Sequence, residues 1–185
     1  MRIVAGRHRG RRLVAPPDRV ARPTADRVRE ALFNILAHSD LVELDGAMVV
    51  DAFAGSGALG LEALSRGAAH AVFLDNHTES LAAIRANLET LDEEDRATVS
   101  RADATKPPTA PRPPRTLALL DPPYRSDLAC PCLEALLRQG WLAPGALAVV
   151  EVAAAEPFTP PAGFETVDER VYGAAKLVFV QLVSF

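Results

Sequence analysis

Five acidic residues fall where a short apolar run ends: Asp51, Asp75, Asp103, Asp121 and Glu151. Ionised carboxylates only accept hydrogen bonds, so such positions suit ammonium, hydroxyl and amine groups. Two of them sit in segments of unusual composition. Val49-Val50-Asp51-Ala52-Phe53-Ala54-Gly55-Ser56-Gly57-Ala58-Leu59-Gly60 reads as a strand, a tight glycine turn and a helix. Gly55, Gly57 and Gly60 match the dinucleotide fingerprint. Asp75 lies 20 residues beyond Gly55, where a ribose-binding acid is expected. In Leu119-Leu120-Asp121-Pro122-Pro123-Tyr124, two prolines fix the backbone and remove two N–H donors. The Asp121 side chain and the Pro122 carbonyl are then acceptors suited to the two hydrogens of an exocyclic amine on a planar base. Tyr124 can stack on that base and hold it flipped out.

The acids also select the ligand of the glycine loop. A dinucleotide sets its pyrophosphate at the helix N-terminus, where backbone N–H groups favour anions. Asp51, four residues before Gly55, disfavours a phosphate there. S-adenosylmethionine has no phosphate and carries an ammonium and a sulfonium. Asp51 accepts from its ammonium, directly or through water, and Asp75 takes the ribose hydroxyls. Asp103 is either an acceptor for the adenine amine or a solvated strand end. Glu151 is either a solvated strand end or part of the base pocket. An amine held in line with the sulfonium methyl gains most of the catalysis such a displacement needs. The acceptors also stabilise the positive charge that develops on the nitrogen. Histidines 8, 38, 70 and 77 show no metal spacing, and no metal is expected.

An alternation of strands and helices must position these residues. Apolar runs at 47–53, 71–75, 97–101, 116–120 and 146–152 read as five strands. Helical spacing reads over 24–37, 57–66, 78–91 and 128–139, with Thr24 as a candidate cap and Gly67 and Gly140 as stops. Residues 104–115 hold five prolines and read as a loop. The segments 164–172 and 176–185 are too close for a crossover helix, so they form a C-terminal antiparallel hairpin. The fold class is α/β: a seven-stranded, mostly parallel sheet with helices on both faces. Its ligands belong beyond the carboxyl ends of the strands.

The net charge of −4 hides an asymmetry. Residues 1–30 carry nine arginines and three acids, a charge of +6. The other 155 residues carry 11 basic and 21 acidic side chains, a charge of −10. A length of 185 residues suits one main domain, residues 23–185, behind a small basic hairpin or arm, residues 1–22. No apolar run suits a signal peptide or a membrane span. Cys130 and Cys132, two apart, read as free thiols at a helix start. The expected location is the cytoplasm.

These segments carry a family resemblance. Asp51-Ala52-Phe53-Ala54-Gly55-Ser56-Gly57 resembles motif I of class I S-adenosylmethionine-dependent methyltransferases, and Asp121-Pro122-Pro123-Tyr124 the [DN]-P-P-[YF] motif of amino-methylating enzymes. Arg2-Ile3-Val4-Ala5-Gly6, Arg9-Gly10-Arg11-Arg12-Leu13 and the run from Arg22-Pro23-Thr24 to Leu32-Phe33-Asn34 resemble the RsmD family. The resemblance covers nearly the whole chain. It implies a Rossmann-like fold and methylation of a guanine N2 amine in 16S ribosomal RNA; the protein is expected to be a monomer. Naked RNA and an assembled small subunit are both open as the substrate. It implies cofactor binding by Asp51, Phe53, Gly55, Ser56, Gly57, Asp75, Asp103 and Ala104, and catalysis by Asp121, Pro122, Pro123 and Tyr124. Arg7, Arg9, Arg11, Arg12, Arg22, Arg27 and Arg29 are the expected RNA contacts, chiefly to phosphates. Three other readings compete. A DNA amino-methyltransferase lacks room for a target-recognition domain. A nicotinamide-dependent oxidoreductase fits the glycines but not Asp51 or the Asp121 loop. A non-catalytic RNA-binding module leaves the amine-binding loop without a purpose.

Overall fold

The computed structural model describes residues 1–17 and 23–183, with only the backbone of Pro23 and Thr24. Arg19, Arg22 and the Thr24 capping side chain lie outside the described residues. The elements follow the order α1 (Pro23–His38), β1 (Met48–Ala52), α2 (Ala58–Ser65), β2 (His70–Asp75), α3 (Thr78–Leu91), β3 (Ala97–Arg101), β4 (Arg115–Leu120), α4 (Ala129–Arg138), β5 (Leu142–Ala153), β6 (Phe164–Tyr172) and β7 (Ala175–Leu182). They form one seven-stranded sheet in the order β3-β2-β1-β4-β5-β7-β6. Strands β1 to β5 are mutually parallel, and β7 runs antiparallel between β5 and β6. The expected parallel sheet and its C-terminal hairpin are therefore both present.

The apolar runs are continuous because both faces of the sheet are covered. Period-two alternation divides each run between two cores. Val49, Phe73, Leu119, Val149 and Phe179 face one core, shared with α1, α2 and α3. Val50, Val72, Leu120, Val150 and Val178 face the other, covered by α4 and by Trp141. The chain moves outward from β1 to β3, then returns to β4 on the other side of β1. Right-handed crossovers in opposite directions place their helices on opposite faces. This leaves a topological switch point between β1 and β4, where ligands enter such sheets. The proline-rich return has no helix. Its Pro108 carbonyl accepts a hydrogen bond from the buried Trp141 indole at 2.9 Å.

The N-terminal arm is a docked hairpin. Arg2 and Arg12 form an antiparallel bridge, and Ile3 and Leu13 are buried in the core shared with α1 to α3. Glu62 of α2 is fully buried and anchors the hairpin. Its carboxylate accepts from the Val4 and Ala5 amides at 2.9 and 3.0 Å and from Arg66 at 2.9 Å. Ser65 accepts from the amides of Arg7 and His8 and donates its hydroxyl to the Ala5 carbonyl. Gly6 makes this contact possible. Its φ is +84°, and a Cβ there would lie 2.0 Å from the Ser65 carbonyl oxygen. Gly10 has φ +82° but open space around it.

Gly6→Ala is therefore expected to cost at least about 2 kcal/mol of stability, from backbone strain plus a backbone collision. Gly10→Ala should cost only about 1 kcal/mol. Equal losses in denaturant unfolding would contradict this account of hairpin docking.

Candidate active site

Strand register assembles the site. Ala52 pairs with Leu74 and with Leu120, and Leu120 pairs with Val150. One residue further along these strands stand Asp75, Phe53, Asp121 and Glu151. Residues far apart in sequence thus form one row at the carboxyl edge of β2, β1, β4 and β5.

The first half of the row borders a cavity of about 180 Å³. Phe53, Asp75, Asp103 and Ala104 line it, together with His77 and Leu128. Phe53 adopts φ +60°, a left-handed conformation costly for a non-glycine residue and frequent at functional turns. Asp75 organises the rim. One carboxylate oxygen accepts from the Gly55 amide at 2.8 Å, the other from the His77 amide at 2.9 Å. The His77 ring Nδ1 also lies 3.1 Å from the second oxygen, so the oxygen bound to Gly55 keeps a lone pair for a hydroxyl donor. Asp103 accepts from the Thr105 hydroxyl at 2.7 Å and amide at 2.9 Å. Those hydrogen bonds hold its carboxyl below its ordinary pKa.

Asp51 lies buried beneath the glycine loop and accepts from the Gly60 amide at 2.9 Å. A carboxylate thus occupies the first turn of α2, the place a pyrophosphate needs. Gly60 permits this packing, because a Cβ there would meet the Phe73 ring at 2.4 Å. An acid-lined cavity beside an anion-occupied helix end fits a cationic, phosphate-free nucleoside. Ser56 turns elsewhere. Its hydroxyl donates to the Met1 sulfur at 3.3 Å and its carbonyl accepts from Asn87 at 2.9 Å. Buried Asn87 also exchanges hydrogen bonds with the Val14 backbone, so it links the chain after the hairpin to the glycine loop.

The second half of the row borders a cavity of about 140 Å³, lined by Pro122, Pro123, Tyr124, Glu151 and the Pro157–Thr159 segment. Pro123 and Leu128 border both cavities, so the two meet at the Asp121 loop. Tyr124 is exposed, and its hydroxyl donates to Glu151 at 3.1 Å. Burial, and then the charge of neighbouring Asp121, push the Glu151 carboxyl up to about 7, against the Tyr124 hydrogen bond. Sequence reasoning left open whether Glu151 joins the base pocket and whether His77 borders the ribose. Their positions beside acids in the row were the available signal. Leu128 and Phe158 carry no chemical signature and come into view only in the fold.

The arginines divide by burial. Arg9, Arg12 and Arg27 are exposed. Arg7 is also exposed and lies 3.7 Å from Glu93, while Arg11 donates to the Thr90 carbonyl at 2.7 Å. Arg29 departs from the expectation of an RNA contact. It is only 5% exposed, donates to the Arg2 carbonyl at 2.6 Å and to Asp26 at 3.1 Å, and lies 3.7 Å from Glu62. It faces inward because it neutralises the buried Glu62 carboxylate under the hairpin. His8 is likewise tied down, 2.6 Å from Glu93. Burial raises the Glu93 pKa, but hydrogen bonds from Arg96 and His8 and nearby charges hold it below the ordinary value overall.

Glu151 makes a pH-dependent contribution to stability. The folded protein keeps its proton up to about pH 7, whereas the unfolded chain releases it near the ordinary value of 4.5. Stability therefore falls as pH rises through that window. Glu151→Gln is expected to raise Tm at pH 8 and to change it much less at pH 5. Equal shifts at the two pH values would contradict this environment for Glu151.

Comparison with known proteins places this architecture. A family model described as "Conserved hypothetical protein 95" matches residues 1–181. The chain is 40% identical over 174 residues to Ribosomal RNA small subunit methyltransferase D of Escherichia coli K12, covering 94% of this chain and 85% of that protein. It is 35% identical over 177 residues to the Haemophilus influenzae protein of the same name, covering 94% and 89%. The solved structure of a putative methyltransferase, yhhF, from Escherichia coli superposes with a TM-score of 0.83 at 36% identity, covering 100% of this chain and 99% of that one. An RNA methyltransferase from Salinibacter ruber, solved with S-adenosyl-L-homocysteine, shares the fold at a TM-score of 0.67 and 14% identity, covering 90% and 95%. A family match over nearly the whole chain, close relatives and a closely similar solved structure agree: the chain belongs to the "Conserved hypothetical protein 95" or RsmD family of class I, S-adenosylmethionine-dependent methyltransferases.

Proposed function

We propose that the protein methylates the exocyclic N2 amine of a guanine in 16S ribosomal RNA, acting as a monomer. The observation that carries this reading is the meeting of an acid-lined nucleoside cavity and a base-sized cavity at Pro123 and Leu128. The relatives' names supply the ribosomal RNA, and the resemblance supplies the guanine amine.

Bound S-adenosylmethionine supplies an electrophilic methyl group on a positively charged sulfur. Asp75 would hold its ribose, Asp103 and Ala104 would border its adenine, and Asp51 would balance its cationic end. Gly55 and Gly57 shape the loop that leaves room for it, and Ser56 ties that loop to the hairpin. The Asp121 carboxylate and the Pro122 carbonyl accept the two amine hydrogens and orient the nitrogen lone pair. Tyr124 stacks on the base. The proton that the amine loses passes to Asp121 or to water. The division at residues 22 and 23 separates the RNA-holding hairpin from the catalytic body. Arg7, Arg9, Arg12 and Arg27 have the exposure needed to reach phosphates, and Arg11 can do so by leaving the Thr90 carbonyl.

Asp121→Ala is expected to abolish methyl transfer while S-adenosylmethionine affinity survives. Asp75→Ala should weaken that affinity by about 10- to 100-fold, the loss of a charged hydrogen-bonding partner. Calorimetric titration and a methyl-transfer assay separate the two, and equal affinity losses would contradict the division of roles. Mapping methylated bases in 16S ribosomal RNA from cells with and without the protein tests the whole reading. One guanine N2 mark should vanish without it; an unchanged map would overturn the proposal.

A further inference from the structure

The base-sized cavity holds a carboxylate that the proposed transfer does not use. Glu151 stands beside Asp121 because Leu120 and Val150 are register partners in adjacent parallel strands. Such strands lie about 4.8 Å apart, so Glu151, which lines the cavity, and Asp121, at its edge before Pro122, stand side by side as acceptors. One Glu151 oxygen is held by the Tyr124 hydroxyl at 3.1 Å, which fixes the carboxyl next to the ring proposed to stack on the base.

We propose that Glu151 is the residue that selects guanine, accepting the base's N1–H while Asp121 and the Pro122 carbonyl accept the N2 hydrogens. This rests on the guanine reading above and deepens it. Adjacent acceptors need adjacent donors. Guanine presents N1–H directly beside its amine. Adenine and cytosine present a ring nitrogen lone pair beside theirs, which the ionised carboxylate, the form present above about pH 7, leaves unpaired. A site built to pair a donor rejects an analogue that lacks it far more strongly than an apolar pocket can. Guanine's N1–H and amine also compensate the burial of Glu151 and, second, the charge of Asp121, which together keep a proton on Glu151.

The groups around Glu151 are consistent with this role. Asp121 and Tyr124 face it from the loop after β4. Glu156, in the turn after β5, accepts from the Arg125 and Ala153 amides. Lys176 on β7 donates to the Glu156 carbonyl at 2.8 Å. Guanine then displaces the Glu151 proton into solvent as it binds, and kcat/KM for guanine rises with pH through about 7. A neutral amide at this position can donate to the ring nitrogen that a carboxylate repels.

The test replaces the mapped guanine with 2-aminopurine, which keeps the amine but lacks N1–H. Small subunits assembled on ribosomal RNA ligated with either base serve as substrates for the full-length protein. At pH 8, where Glu151 is ionised, wild type is expected to prefer guanine by about 100-fold or more in kcat/KM. Glu151→Gln should reduce that preference to below about 10-fold and abolish the rise of kcat/KM near pH 7. Glu151→Asp, which keeps the charge, should retain the preference and serves if the Gln variant fails to fold. An unchanged base preference in Glu151→Gln, or a preference lost equally in Glu151→Asp, overturns the inference alone. Wild type that leaves guanine unmethylated both in these particles and in the naked ligated RNA overturns the guanine reading with it.

Discussion

The hydrogen-bond register of the parallel sheet is the constraint on which the rest depends. Ala52, Leu74, Leu120 and Val150 are held in line by the ladder and buried in one core. The next residues, Phe53, Asp75, Asp121 and Glu151, must then emerge together at the carboxyl edge. A slip of one residue in any strand would exchange buried and emerging side chains and carry an acid into the core. The same packing that stabilises the sheet therefore positions the chemistry. The reversal of strand order at β1 opens the edge where these residues stand.

A second consequence follows from where charge is buried. Asp51 fills the N-terminal turn of α2, and Glu62 takes the amides of Val4 and Ala5. One carboxylate removes the helix end as a phosphate site, and the other fastens the hairpin to the catalytic body. Arg29 and Arg66 are drawn inward by Glu62, while Arg9 and Arg12 are left on the surface. Asn87 joins the chain that leaves the hairpin to the Ser56 carbonyl in the glycine loop. The hairpin and the glycine loop are thus one hydrogen-bonded unit.

Much of this was legible in the sequence because the signals were local. The glycine turn, the Asp121-Pro122-Pro123-Tyr124 loop and the period-two runs each carry their meaning within a few residues. Helix α3 falls at the expected 78–91, and β3 at the expected 97–101. The limits of the reading were contacts between distant segments. Arg29 sits among surface-like charges in sequence, yet tertiary packing sets it against Glu62, 33 positions away. Ser56 belongs to the glycine motif, yet its hydroxyl serves Met1. Glu151 looks like an ordinary strand end until β5 is laid beside β4. Strand β5 also begins earlier than expected, at Leu142, because Arg115 pairs with it before the register shifts near Leu117.

The central claim is that an acid-lined strand edge, with Asp51 already at the helix end, accepts a cationic nucleoside and refuses a pyrophosphate. Calorimetric titration of the full chain with S-adenosylmethionine and, separately, with NAD measures this directly. The account predicts saturable one-to-one binding of S-adenosylmethionine and no detectable binding of NAD at the same concentrations. Comparable affinity for NAD would contradict it.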